Sequence, residues 1–162
     1  MITLPEQIIM GRPWVRVECG GVAWDVAPDY VAPVGITEAL LHAEAAGCEL
    51  PSRELVDAVF AAADLRVEPL PRHHDGTPAT MASAEVYADQ ARRIEAQIAG
   101  RPYRLLVGTH KDVILYHGKP ALYGWHRPSG AVIQPVFAGH GGWHKDYSQG
   151  LRLCRRVGTL VA

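Results

Sequence analysis

Disulfide and metal frameworks are the first things this sequence lacks. Only Cys19, Cys48 and Cys154 are cysteines, at long spacings and with no CxxC. An odd number spaced this way supports neither a disulfide scaffold nor a zinc knuckle. All three are expected as reduced, mostly buried thiols. An imbalance of charge is missing as well: 16 basic residues face 17 acidic ones, for a formal net charge of −1. That balance argues against a general electrostatic grip on nucleic acid or an anionic membrane. Arg152, Arg155 and Arg156 still make a local basic cluster in the sequence. No apolar run approaches the ~20 residues needed to cross a bilayer. Residues 1–10 include Pro5 and Glu6, with no basic start and no apolar stretch. No secretory leader is read there, and a cytoplasmic location is expected. GxGxxG after a strand, GxxxxGKS/T, HExxH and CxxCH are all absent, so no cofactor is expected. Helix-turn-helix DNA binding is not expected either, because neither short helix within 37–63 is basic.

What the chain does have is the composition of a globular protein, 48% hydrophobic and 20% charged over 162 residues. The length predicts one domain over 1–162, able to bury a core without staples. The patterning predicts an α+β fold, with an N-terminal hairpin and helices packed on a mainly antiparallel C-terminal sheet. Residues 14–18 and 22–26 alternate around Gly20-Gly21 and read as the hairpin. Two helices follow, about 38–46 with Thr37 as cap and Gly47 as stop, and about 53–63 with Ser52 as cap. Leu40, Leu41 and Leu55 are expected in the core. Residues 68–78, rich in proline, read as a surface loop. A third helix is expected over about 84–99, capped by Ser83 and stopped by Gly100. Strands are expected at 104–107, 113–116, 121–125 and 131–136.

Chemistry-bearing side chains concentrate in the C-terminal half. Five of the eight histidines lie between His110 and His144. Histidine titrates near neutrality and ligates metals, so this local excess is a functional lead. Two stretches stand out. In Tyr123-Gly124-Trp125-His126 an aromatic pair and a histidine end a strand. In 140–152, glycines lead through His144 and Asp146 to Tyr147, Ser148 and Arg152. The glycines supply free backbone N–H groups for an anion nest or oxyanion hole. A short echo, His110-Lys111-Asp112 and His144-Lys145-Asp146, has the length at which chance repeats are common.

The strand histidine followed by Ser148-Gln149-Gly150-Leu151-Arg152-Leu153 resembles the signature of YkuD-type L,D-transpeptidases, over residues 121–153. Those enzymes carry a histidine, a Ser/Thr-His-Gly-Cys motif and a following arginine on a β-rich fold. They act on peptidoglycan stem peptides through a cysteine thiolate. Here Gln149 stands at the position of the motif histidine and Leu151 at that of the cysteine. Cys154 lies three residues beyond. A leucine cannot attack a carbonyl, so the resemblance implies a substrate class without its nucleophile.

Three readings follow. The first is a hydrolase of a peptide or amide bond, with bacterial cell-wall peptidoglycan as one setting. Ser148 is its nucleophile, His126 or His140 its base and Asp146 the orienting carboxylate. Trp125, Tyr147 and Arg152 would bind a peptide, glycan or other small substrate. The second is a metal-dependent hydrolase drawing on His126, His140, His144 and Asp146. The third is a non-catalytic carbohydrate- or protein-binding module of phage or secretion-system origin, using exposed Trp125, Trp143 and Tyr147. Convergence of His126, His140, Asp146 and Ser148 on one cleft would favour the hydrolase readings, and side chains pointing to different faces would remove both. Oligomeric state is open.

Overall fold

The computed structural model describes residues 13–160. Strands β1 (Val15–Cys19) and β2 (Val22–Val26) form the expected hairpin. Gly20 and Gly21 both take positive φ, +58° and +74°, which a two-residue turn matched to strand twist requires. Val15 and Val17 are buried while Arg16 and Glu18 face solvent, as the alternation demands.

Helix α1 (Ile36–Ala45) starts two residues before the expected position. Its N-cap is Gly35, and no side chain caps it, so the Thr37 cap is corrected. The first-turn N–H groups of Ile36 and Thr37 instead donate to the carbonyls of His144 and Gly142. A loop distant in sequence thus does what a cap residue does. The earlier start moves the buried face to Ile36, Ala39, His42 and Ala43. Leu41 is left 47% exposed, against the core position expected for it. Helix α2 (Arg53–Ala62) matches expectation, with Ser52 Oγ accepting the Leu55 N–H at 3.1 Å. Leu55, Val56 and Val59 form its inner face.

The proline-rich loop ends in one helical turn, α3 (Pro78–Met81). Helix α4 (Ala84–Ile98) follows, capped by Ser83 Oγ on the Val86 N–H. Two short strands, β3 (Leu65–Arg66) and β4 (Leu106–Val107), pair in parallel. Leu65, Val67, Leu106, Ile94 and Ile98 close a small core between them and α4.

The C-terminal sheet holds β5 (Lys111–Tyr116), β6 (Lys119–His126), β7 (Val132–Phe137) and β8 (Gln149–Gly150), in the order β7-β6-β5-β8. The first three are antiparallel, and β8 runs parallel to β5. The fold is therefore α+β with a mainly antiparallel sheet. β8 sets Lys111 opposite Gln149, and the Lys111 N–H donates to the Ser148 carbonyl at 2.8 Å. This pairing lets Lys111 of the first echoed tripeptide reach Asp146 of the second. The last strand, β9 (Cys154–Thr159), was not expected from sequence; it crosses back to pair with β2 and completes a three-stranded sheet. No helix among the described residues is long and apolar enough to cross a membrane.

Candidate functional site

Asp146 is the centre of the polar arrangement. Its carboxylate is almost fully buried, and both oxygens are occupied. Oδ1 accepts from the Ser148 N–H at 2.8 Å and from Ser148 Oγ at 2.6 Å. Oδ2 meets Lys111 Nζ and His144 Nε2, each at 3.4 Å. Burial pushes the carboxyl up, but the Lys111 ammonium, the two Ser148 bonds and His144 together hold it below the usual carboxylate range. Asp146 is thus an ionised group fixed from below by Ser148 and from above by two basic side chains.

The His144 ring is stacked on His140, with centroids 3.6 Å apart and planes within 2° of parallel. Burial lowers the His140 pKa, and the neighbouring His144 and Lys111 lower it further, while Asp146 opposes them. The loop that carries both histidines is fixed to the start of α1 by the two backbone bonds already described. A bond from Lys145 Nζ to Glu38 at 3.1 Å adds a third tie. Above these groups lies a cleft of ≈ 570 Å³, between the loop and α3, with Gln134 of β7 at one side. His74, from the proline-rich loop, also lines it. Among the described residues, no group of three or more His, Cys, Asp or Glu side chains is arranged to hold a metal ion.

Of the four residues expected to share a cleft, His140 and Asp146 line it and Ser148 lies directly behind Asp146. His126 does not join them. Its Nε2 contacts Asp57 Oδ1 at 2.9 Å, its ring stacks on Phe60, and Tyr123 donates to the same Asp57 oxygen. His126 thereby ties β6 to α2. Gly124, at φ +99°, clears the way, since a Cβ there would come within 3.2 Å of Val56.

The three residues expected to bind substrate are interior. Trp125 is buried, and its Nε1 donates to the Gly108 carbonyl at 3.0 Å. Tyr147 packs against it, with its hydroxyl accepting the Arg72 N–H. Arg152 is fully buried and donates to the carbonyls of Ala27 and Leu106, with its guanidinium over the Tyr30 ring. Tyr30 in turn donates to Asp112 at 2.9 Å. These residues join the hairpin, β4 and β5 into one framework. Of the three aromatics expected to be exposed for binding, only Trp143 is, at 83%.

Lys111 is the site residue that sequence reasoning missed. The signal was the repeated His-Lys-Asp tripeptide, which acquires meaning once β5 and β8 are paired. Leu151, at the position of the transpeptidase cysteine, is fully buried and bridges to Val31. Comparison with protein-family models, curated proteins and solved structures gives no match.

Proposed function

We propose that the protein is a hydrolase of a peptide or amide bond, working by acid–base catalysis in the cleft over Asp146. The observation that carries this is the carboxylate's double engagement with His144 and Lys111 at the cleft floor. An ionised Asp146 orients His144 with its Nε2–H toward the carboxylate, leaving Nδ1 as a base for water. Lys111 places an ammonium beside the same point, where it can stabilise a developing oxyanion. The 3.4 Å contacts are long for hydrogen bonds and are expected to shorten when substrate excludes water.

Ser148 is a poor nucleophile in this arrangement. Its hydroxyl is buried and donates to Asp146 directly, so no imidazole stands ready to take its proton. Water is the attacking group we favour. The choice of a peptide or amide, and of cell-wall peptidoglycan as a setting, rests on the resemblance over residues 121–153. A binding module remains the second reading, favoured by the exposed Trp143 next to His144.

The test is cleavage of N-acetylated dipeptides and peptidoglycan stem peptides, followed by mass spectrometry. His144→Gln should lower turnover by roughly 100-fold or more while leaving the fold intact. Binding of a glycan or peptide without any cleavage would select the second reading.

A further inference from the structure

We infer that the substrate of this cleft carries a carboxylate close to the bond that is cut, held by Lys111 and His140. The inference rests on the hydrolase reading and names its substrate class. Five basic or imidazole side chains line the cleft, His74, Lys111, His140, His144 and Lys145, against the single carboxylate of Asp146. That carboxylate has no acceptor left for a cationic ligand, because Ser148 saturates Oδ1 while Lys111 and His144 share Oδ2. Lys145 is matched from behind by Glu38, outside the lining. Lys111 is different: an ammonium has three N–H donors, and one points to Asp146. The others are free to meet an anion at the cleft floor.

His140 reports the local field independently. Besides burial, the positive charges of Lys111 and of His144 when protonated outweigh Asp146 in disfavouring its imidazolium. Tyr87, close enough to feel Asp146 and Glu38, adds no positive charge. Burial disfavours any charge there, so the part of this shift that bears on an anion is the repulsion from Lys111 and His144. A carboxylate bound between Lys111 and His140 would offset that repulsion, easing protonation of the imidazole. Pro78, Met81 and Ala82 supply the apolar wall for the rest of a small peptide.

The carboxylate can be a chain terminus or an acidic side chain, and the probes separate the two. Acetyl-Ala-Ala with a free C-terminus, its C-terminal amide, and acetyl-Glu-Ala amide are titrated into the protein by calorimetry, at about pH 6 and about pH 8. At least one charged peptide should bind roughly 10-fold tighter than the neutral amide, the gain typical of one charge-assisted hydrogen bond. Binding should take up protons, read as a dependence of the heat on buffer ionisation. The preference should shrink at the higher pH and in His140→Gln, a change at the cleft wall that does not touch the Lys111 and Ser148 contacts of Asp146. Lys111→Met should abolish it. Equal affinities for the three peptides, or no binding by any, would overturn the inference. Charged peptides that bind tightly and are never cut would retain it and remove the hydrolase reading. A neutral amide cut as fast as the acids would do the reverse.

Discussion

At the scale of the residue, burial decides what each polar group can do. Ser148 and Asp146 form a closed pair, so Ser148→Ala should cost about 1 kcal/mol of stability and reduce turnover only a few-fold. Mass spectrometry of the protein with substrate should show no acyl group on Ser148; an adduct there would reinstate the serine as nucleophile. Arg152 is a framework residue. Replacing it with methionine should destabilise by about 3–5 kcal/mol, measured by urea unfolding, because it leaves two buried carbonyls without their donor and removes the positive charge near Asp112. Near-wild-type stability would show that the guanidinium is dispensable.

The same interior network has a pH signature. Burial pushes Asp112 up to about 7, against the opposing pull of Arg152 and the Tyr30 hydroxyl. An unfolded aspartate ionises near about 4, so this raised value gives stability that is full below about pH 4 and lost as pH climbs through about 7. His110, pushed down to about 4 by burial, has the opposite sign. Its contribution is full above the unfolded imidazole value of about 6.5 and lost as pH falls through about 4. The two offset each other in the shared window. Asp112→Asn removes one of them, so its stability relative to wild type should rise with pH between about 4 and about 7. A difference that does not change with pH contradicts the assignment.

At the scale of the element, local signals were read well and long-range ones were not. Ser52 and Ser83 cap helices as their spacing implies, and Gly20-Gly21 turns the hairpin. The start of α1 was misplaced because its cap comes from the loop at 142–144, which no local pattern can announce. β9 was missed because five of its six residues face solvent, so it shows no alternation. It forms because β2 presents an unpaired edge. The site was half legible for the same reason. The histidine-rich loop and Asp146 were visible, but the arrival of Lys111 and the departure of His126 depend on which strands pair. Gly108 marks one such contact: at φ +96°, a Cβ would lie 2.0 Å from the Val67 carbonyl oxygen. Gly108→Ala should therefore destabilise by about 3 kcal/mol or more, shown by a lower thermal midpoint. An unchanged midpoint would mean that β3 and β4 are free to separate.

At the scale of the molecule, the three sheets and four helices of the described residues serve to bring 111, 140–148 and the loop before α3 together. The framework of Tyr30, Asp112 and Arg152 lies behind the site and fixes β5 beside β8. The cleft then joins an ionised carboxylate, an ammonium and a stacked imidazole pair, which is the equipment of acid–base chemistry. The most direct test is turnover of the peptide pool by wild type, His144→Gln and Ser148→Ala at equal, verified folding. The account predicts measurable cleavage by wild type, loss of roughly 100-fold or more in His144→Gln and only a few-fold in Ser148→Ala. Cleavage that survives His144→Gln unchanged, or vanishes only in Ser148→Ala, would contradict it.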